Sequence, residues 1–267
     1  MGFLAGKRIL VTGVLSNRSI AYGIAKACRR EGAELAFTYV GDRFKDRITE
    51  FAAEFDSQLI FPCDVADDAQ IEAVFADLGK TWTKLDGVVH AIGFAPREAI
   101  AGDFLDGLSR EGFRIAHDIS AYSFPAMAKA ALPLLQGPEG NGTGAVLTLS
   151  YLGAERVVDN YNTMGVAKAA LEAATRYIAR DLGPKGIRVN AISAGAMRTL
   201  SLAGISGGRG LHSKSAQFSL IKEETSMEGV AGAALWLCSD LGRSTTGEVV
   251  HVDAGFHAVG LPDDMEG

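Results

Sequence analysis

The sequence predicts an α/β protein built on one doubly wound parallel sheet of about seven strands, with helices on both faces. Short apolar, β-branched runs alternate with longer helical patterns along nearly the whole chain, and this alternation requires parallel strands joined by right-handed crossovers. The runs are apolar throughout, as in strands covered on both faces. No break in composition interrupts the 267 residues, so we expect one domain spanning 1–267.

Individual elements follow from these patterns. Strands are expected at 8–12, 33–39, 59–62, 87–91, 144–149, 187–192 and 248–252. Helical spacing predicts helices at 20–30, 42–55, 67–80, 109–135, 160–182 and 227–239. Pro125 and Pro133 should bend or end parts of the long fourth helix. Residues 193–226 show no convincing pattern, and a loop of this length is expected to be functional or mobile.

Charge and cysteine usage narrow the function classes. A net charge of −6 argues against binding nucleic acid through a basic surface. The three cysteines are far apart, without metal-ligand spacing or a disulfide framework, so we expect no metal site and a reducing cytoplasm. The N-terminus lacks the apolar core of a signal peptide, and no apolar run approaches the length of a membrane span. The function classes that these observations leave open are an intracellular enzyme and an intracellular binding protein.

Two tyrosines and a lysine follow the fifth predicted strand. Tyr151 precedes Tyr161 by ten residues, and Lys168 comes seven residues after Tyr161. Seven residues are about two helical turns, so Tyr161 and Lys168 share one helix face. An ammonium beside a phenol favours phenolate character, and the phenol can donate to an oxygen that gains charge. Packing tyrosines and a solvated lysine are the alternative interpretation.

The turn after the first strand suits a nucleotide phosphate. Gly13 permits a sharp turn, and Ser19 can cap the following helix and bond a phosphate oxygen at its N-terminus. The spacing is not Gly-x-Gly-x-x-Gly, so a plain strand–turn–helix stays open. Asp64, after the third strand, suits an adenine amino group or a helix cap. Asp42, near the end of the second strand, would repel a 2′-phosphate and favours NADH, although Arg43 and Lys45 keep NADPH open.

Several segments together resemble the NADH-dependent bacterial enoyl-acyl carrier protein reductases of the short-chain dehydrogenase/reductase superfamily. The resemblance covers nearly the whole chain and is carried by residues 2–13, 19–23, 32–39, 63–66, 92–96, 111–120, 149–154 and 188–195. Its sharpest element is the spacing Tyr161-x₆-Lys168 with Tyr151 upstream. Ordinary ketoreductases of the superfamily use Tyr-x₃-Lys with an upstream serine. The resemblance implies a Rossmann-like fold, a homotetramer, and reduction of enoyl thioesters carried by acyl carrier protein in type II fatty-acid synthesis.

Family roles fall onto matching positions. Tyr161 would hydrogen-bond the thioester carbonyl, Lys168 would hold the nicotinamide ribose, and Tyr151 would position or support the substrate. Ala95 matches a substrate contact. The cofactor contacts implied by the resemblance are Gly13, Ser19, Ile20, Val40, Asp64, Val65, Ile92, Gly93, Lys168, Met197, Thr199 and Leu200.

The region from 193 to 226 corresponds to the family's substrate-binding lid and departs from the usual pattern. Ala196 and Asp159 stand where the family commonly has proline, residues 206–210 are unusually rich in glycine, and residues 219–222 differ from the common run. Added glycine raises the entropic cost of ordering such a segment. We therefore expect the atypical lid sequence to change the acyl-chain preference and the inhibitor response. The reaction type should be much less affected.

Two other functions fit part of the pattern. A carbonyl reductase or alcohol dehydrogenase of the same superfamily would share the nucleotide turn, but the seven-residue spacing argues against it. A catalytically idle nucleotide-binding protein would explain the altered lid, but it would not need to keep Tyr151, Tyr161 and Lys168.

A basic segment generates a first testable prediction. Between Leu182 and Lys222 there are six basic residues and no acidic one, which suits docking of an acidic carrier protein, with a solvated loop as the alternative. Charge reversal at Arg209 and Lys214 should therefore raise KM for carrier-linked substrate and spare a coenzyme A thioester. Steady-state kinetics with both substrates measures this, and equal effects on the two would remove the docking hypothesis.

Overall fold

A computed structural model describes residues 2–140, 142–199 and 215–260, and in them the predicted sheet is present. The seven strands are β1 (Arg8–Val11), β2 (Glu34–Tyr39), β3 (Ile60–Pro62), β4 (Gly87–His90), β5 (Ala145–Ser150), β6 (Arg188–Ala194) and β7 (Val249–Val252). All of their pairings are parallel, in the order β3-β2-β1-β4-β5-β6-β7. The order reverses between β1 and β4, the position where such sheets bind ligands beyond their carboxyl ends.

Helices cover both faces of this sheet. They are α1 (Ile20–Arg30), α2 (Lys45–Glu54), α3 (Asp68–Leu78), α4 (Arg110–His117), α5 (Ser123–Gln136), α6 (Asn162–Leu182) and α7 (Met227–Cys238). One core lies between the sheet and α1, α2 and α7. The other lies between the sheet and α3, α5 and α6. Because both faces are covered, the strands need apolar side chains on both sides, which explains their continuous apolar runs.

The long helical region predicted at 109–135 has three parts. Between α4 and α5 the chain forms a π-helix over Asp118–Tyr122. Pro125 lies in the first turn of α5, directly after these wider turns, where its missing N–H is tolerated. Pro133 lies inside α5, which ends one turn later at Gln136. The prolines therefore do not divide the helix at their own positions, and the π-helix is the interruption that the sequence pattern did not show.

Two boundaries differ from the sequence prediction for visible reasons. Ser193 and Ala194, expected to open the lid, belong to β6, because they continue its ladder with Ser150 of β5 and Val252 of β7. Asn160, expected to begin the sixth helix, precedes α6 and has a left-handed φ of 60°. In the lid, residues 215–218 are helical, and positions 200–214 lie outside the described residues.

Position 13 requires glycine for two reasons: a left-handed φ and the lack of room for a Cβ. Its φ is +78°, and a Cβ there would lie 2.0 Å from the carbonyl oxygen of Ala91 after β4. Thr12 supports the same approach, since its hydroxyl donates to the Val89 carbonyl and accepts from the Ala91 N–H. The first turn is thus fitted against the end of β4, at the point where the sheet order reverses.

Gly6 offers a matched control for this close approach. Its φ of +73° is similar, but a Cβ there would meet nothing within 4 Å. Alanine at either position incurs the left-handed cost of roughly 1–2 kcal/mol, and Gly13→Ala should cost about 1–3 kcal/mol more because a backbone must move. Urea unfolding followed by circular dichroism measures the difference. Equal losses of stability in the two variants would contradict the steric explanation.

Candidate active site

The sequence-predicted site residues lie along one edge of the sheet. Gly13, Val40, Asp64, Ile92 and Tyr151 follow the carboxyl ends of β1 to β5 in that order. Met197 and Thr199 follow β6 in the same way, while Leu200 lies outside the described residues. Because all strands are parallel, these ends form one continuous edge. The fold therefore collects residues that are distant in sequence into one neighbourhood.

Tyr161 and Lys168 are both buried at this edge. Tyr161 is the residue before α6, and Lys168 lies two turns further on the buried face of the helix. The Lys168 ammonium donates a hydrogen bond of 2.7 Å to the backbone carbonyl of Leu149, near the end of β5. This contact fixes α6 against β5. The shared face predicted from the spacing is present.

The backbone around Tyr161 is held by two asparagines that the sequence analysis did not single out. Asn160 and Asn162 flank Tyr161 with φ values of 60° and 39°. The Asn160 side chain accepts from the Gly102 N–H, and the Asn162 side chain donates to the carbonyls of Ile100 and Gly102. Asparagine tolerates left-handed geometry better than most residues. The alternation Asn-Tyr-Asn was the available signal.

Tyr151 contacts Tyr161 directly. Their ring centroids are 4.9 Å apart at an interplanar angle of 69°, an edge-to-face arrangement. Gly153 makes room for this pair, since a Cβ there would lie 2.3 Å from the Tyr161 ring. The structure therefore brings Tyr151 and Tyr161 into contact, and Lys168 lies two turns after Tyr161 on the buried face of α6.

Both phenols stay protonated near neutral pH. Burial raises the pKa of Tyr161 far above its usual range, and the neighbouring Tyr151 and Glu172 add to the shift. Burial also raises the pKa of Tyr151 to about 12, with Asp253 adding to it. The expectation that Lys168 favours a phenolate is wrong in this structure, because desolvation of the phenol dominates. Tyr161 is therefore suited to donate a hydrogen bond rather than to act as a base.

Lys168 lies beside the loop after β4. A Cβ on Gly93 would lie 3.4 Å from the Lys168 ammonium nitrogen, an ordinary contact distance, so the two groups are neighbours. Burial lowers the pKa of Lys168 to about 8, and the nearby Glu172 opposes that shift. The ammonium is thus predominantly charged at neutral pH and sensitive to the charges around it.

A serine in the π-helix fixes the loop after β4. The buried Ser120 hydroxyl accepts from the Phe94 N–H and donates to the Phe94 carbonyl. This places Ile92 and Gly93 on one side of the contact and the half-buried Ala95 on the other. Ser120 was not predictable from the sequence, because a polar residue in a helix pattern gives no sign that a π-helix turns it toward a loop.

The nucleotide end agrees with the sequence predictions in part. Ser19 lies at the N-terminus of α1, but its hydroxyl donates to the Ser16 carbonyl and does not cap the helix. Asp64 accepts from the Ala66 N–H, whereas Asp67 caps α3 through the Ala69 N–H. The helix-cap alternative for Asp64 is therefore wrong, and Ser19 stabilises its own turn instead.

These features fit a dinucleotide. The first turn of α1 begins at Ile20 and holds no acidic residue, so its positive end is available to a pyrophosphate. Val65 is buried behind Asp64, and Val40 at the end of β2 is exposed at the same edge. Gly13 and Gly93 keep side chains away from the space between β1 and β4. A nucleotide laid along this edge would cross the switch point of the sheet.

Some basic residues of the segment 182–222 make structural contacts. Arg188 donates to the carbonyls of Thr245 and Ser239, and it is half-buried. Arg198 pairs with Glu224 at 3.3 Å. Arg209 and Lys214 lie outside the described residues. The docking hypothesis for Arg209 and Lys214 stays a prediction, and Arg188 does not contribute to a free basic surface.

Comparison with known proteins identifies the family. A family model described as enoyl-(acyl carrier protein) reductase matches residues 13–257. The chain belongs to this family. The NADH-dependent enoyl-acyl carrier protein reductase of Escherichia coli strain K12 is 57% identical over 256 residues, covering 96% of each chain. That of Aquifex aeolicus is 48% identical over 261 residues, covering 98% of this chain and 95% of the relative.

Solved structures of enoyl-acyl carrier protein reductases share the fold. The enzyme from Aquifex aeolicus aligns with a TM-score of 0.92 at 47% identity, covering 97% of this chain and all of that one. The enzyme from Anaplasma phagocytophilum, solved with NAD, aligns with a TM-score of 0.92 at 45% identity, covering 98% of each chain. The family resemblance and the doubly wound sheet inferred from sequence are confirmed.

His90, at the end of β4, is a buried residue that the sequence analysis missed. Its Nδ1 lies 2.9 Å from the Thr148 hydroxyl and its Nε2 lies 2.8 Å from the Ser123 hydroxyl. Ser123 donates its own proton to the Ile119 carbonyl, so Nε2 carries the proton and Nδ1 accepts. Burial lowers the pKa of His90 to about 3, and the positive charge of Lys168 adds to this. A neutral imidazole therefore joins β4, β5 and the first residue of α5.

The neutral state of His90 predicts a pH dependence of stability. Below about pH 6.5 the unfolded chain gains a proton at this histidine, whereas the folded chain resists protonation until about pH 3. The folded state therefore loses stability as pH falls through that window. Between pH 6 and 4, the unfolding free energy of the wild type should fall by about 1.4 kcal/mol per pH unit more than that of His90→Gln. Urea titrations at stepped pH measure both slopes, and equal slopes would contradict a neutral His90.

Proposed function

We propose that this protein uses NADH to reduce the trans-2 double bond of enoyl thioesters carried by acyl carrier protein, in type II fatty-acid synthesis. The observation that carries the proposal is the pair Tyr161 and Lys168, buried two helical turns apart at the ligand-binding edge of the sheet. The 57% identity over 96% of the chain to an NADH-dependent enoyl-acyl carrier protein reductase supports the same reaction and cofactor.

Tyr161 acts on the substrate carbonyl in this proposal. NADH, when bound, supplies the hydride that adds to the β-carbon of the enoyl group. Negative charge then develops on the thioester oxygen, and the protonated Tyr161 phenol donates a hydrogen bond to it. One such fixed donor in a buried site is worth ~10²-fold or more in rate. Protonation of the α-carbon completes the reduction.

Lys168 and the edge residues bind the cofactor. The Lys168 ammonium, which has donors beyond the one used by Leu149, holds the nicotinamide ribose hydroxyls. Gly13, Ser19 and Ile20 would hold the pyrophosphate. Asp64 and Val65 would contact the adenine, with Val40 at the second strand. Ile92, Gly93, Met197, Thr199 and Leu200 complete the cofactor contacts.

The acyl substrate and the carrier protein bind on the side of Tyr161 and Lys168 that faces the lid. Tyr151, packed edge-to-face on Tyr161, positions the acyl chain together with Ala95. The lid, which follows the end of β6 at Ala194 and runs to about 226, would cover the bound chain. The acidic surface of the carrier protein approaches the basic segment of the lid. The thioester that it carries then enters the site from the lid side.

Assembly and location complete the proposal. We assign a homotetramer, supported by Val166 and Tyr177 on α6, which are 41% and 75% exposed at positions three turns apart. The apolar Phe113 on α4 is also exposed. A cytoplasmic location is supported by three cysteines that are all free and buried. No helix in the described part of the chain is long and apolar enough to cross a bilayer.

The test is NADH and NADPH oxidation with trans-2-enoyl and 3-ketoacyl thioesters of several lengths. We expect oxidation of NADH with crotonyl thioester and little with acetoacetyl thioester or with NADPH. Tyr161→Phe should lower kcat by ~10²-fold because the oxygen loses its donor, with NADH affinity retained. Tyr122→Phe, whose exposed hydroxyl donates to Asp68, is the matched control and should keep wild-type rates.

Three outcomes would contradict the proposal. Full activity of Tyr161→Phe would remove the role of Tyr161. Preferred reduction of acetoacetyl thioester would favour the carbonyl reductase. Tight NADH binding without oxidation by any enoyl thioester would favour an idle nucleotide-binding protein.

A further inference from the structure

Glu172 is a buried acid that the proposed chemistry does not use. It lies one helical turn after Lys168 on the same face of α6 and is only 6% exposed. Its carboxylate accepts a hydrogen bond from the Ser150 hydroxyl, at the last position of β5. A carboxylate is rarely buried unless it is paired or hydrogen-bonded, because removing an ion from water is energetically costly.

Two adjacent residues of β5 hold the two charges. The Leu149 carbonyl accepts from Lys168, and the next residue, Ser150, donates to Glu172. The cation and the anion are therefore both anchored to the end of one strand and both carried by one helix. Opposite charges four residues apart on a helix attract each other, and the attraction strengthens where water is excluded.

We propose that Glu172, oriented by Ser150, is the counter-charge that keeps the Lys168 ammonium protonated and in place at the end of β5. Glu172 is a positioning residue, since it acts through Lys168. The assignment rests on the proposed role of Lys168 in holding the cofactor. It explains how a lysine that is 7% exposed keeps its charge in the working enzyme.

The surroundings of Glu172 are mixed in charge. Glu172 lines an open cavity of about 580 Å³ together with Glu155, Arg176 and Glu248. Burial and Glu155 raise the pKa of Glu172, whereas the Ser150 hydrogen bond, His251 and Arg176 lower it. His251 is itself bound to Glu155 at 2.8 Å, which reduces the repulsion between the two glutamates. The cavity also gives solvent a route to the carboxylate.

Glu172→Gln tests the proposal because glutamine keeps the shape and the Ser150 contact but lacks the charge. In the wild type, kcat/KM should fall on the alkaline side near pH 8 as Lys168 deprotonates. In Glu172→Gln this fall should move about one unit toward lower pH, giving roughly 5-fold lower kcat/KM at pH 8, a difference that approaches ~10-fold at higher pH, and a near wild-type value at pH 6. Glu172→Asp should keep the wild-type profile.

Glu155→Gln is the matched control. It removes a carboxylate from the same cavity but not the one bound to Ser150, so the alkaline fall should not move to lower pH. In a Lys168→Arg background the added Glu172→Gln change should have no pH-dependent effect, because arginine stays protonated. A shift that persists there would overturn the proposal, as would an equal loss of rate at all pH values in Glu172→Gln.

A second readout separates this inference from the enoyl reductase assignment. The pH dependence of NADH affinity, measured by fluorescence titration, reports the charge of Lys168 without any turnover. A lower midpoint in Glu172→Gln supports the counter-charge, and an unchanged midpoint overturns it. If Glu172→Gln does not fold, Ser150→Ala should shift the midpoint in the same direction, and no shift overturns the proposal. Absence of turnover in the wild type would instead refute the proposed reaction.

Discussion

The burial of one ammonium group against the end of β5 organises the functional edge of this protein. A lysine deprived of water needs a fixed acceptor, and the Leu149 carbonyl provides it at 2.7 Å. That contact sets the rotation of α6 relative to the sheet. Because Tyr161 lies two turns earlier on the same face, the rotation that suits Lys168 also brings Tyr161 to the edge. The position of the Tyr161 phenol thus follows from the hydrogen bond between the Lys168 ammonium and the Leu149 carbonyl.

Close approach of backbones is the second constraint. The loop after β1 passes against the end of β4, and this passage is possible only with a glycine at position 13. The loop after β4 passes within contact distance of Lys168 at Gly93. Gly153, like Gly13, makes room for a close approach, here by the Tyr161 ring. Space for a flat, extended ligand arises where these side chains are missing. The glycines are therefore placed by the geometry of the edge, and only Gly13 among them also needs a left-handed φ.

Much of the fold was predictable from sequence because it depends on periodicity. Continuous apolar runs and helical stripes located all seven strands to within two residues at either end, since burial on both faces leaves few alternatives. The pair Tyr161 and Lys168 was predictable because spacing on a helix converts directly into a shared face. Ser120 and His90 were not, because a π-helix and a strand end bring them to partners through tertiary packing. The expectation that Lys168 gives Tyr161 phenolate character was wrong for a related reason: the pKa of Tyr161 is raised mainly by desolvation, which depends on all the groups packed around it.

The position of Tyr161 outside the helix has its own consequence. Tyr161 precedes the first residue of α6, and its carbonyl accepts from the Met164 and Gly165 N–H groups. Its two asparagine neighbours add contacts that the helix itself does not provide. Asn160 and Asn162 attach that turn to the backbone at Ile100 and Gly102. The loop after β4, the phenol and the helix carrying Lys168 therefore form one connected unit. In double-bond reduction the hydride and the developing oxygen charge lie on different atoms of the substrate, so the donor and the cofactor must keep a fixed separation. A donor attached both to the helix that carries Lys168 and to the loop after β4 meets that requirement, which a tyrosine on a freely hinged turn would not.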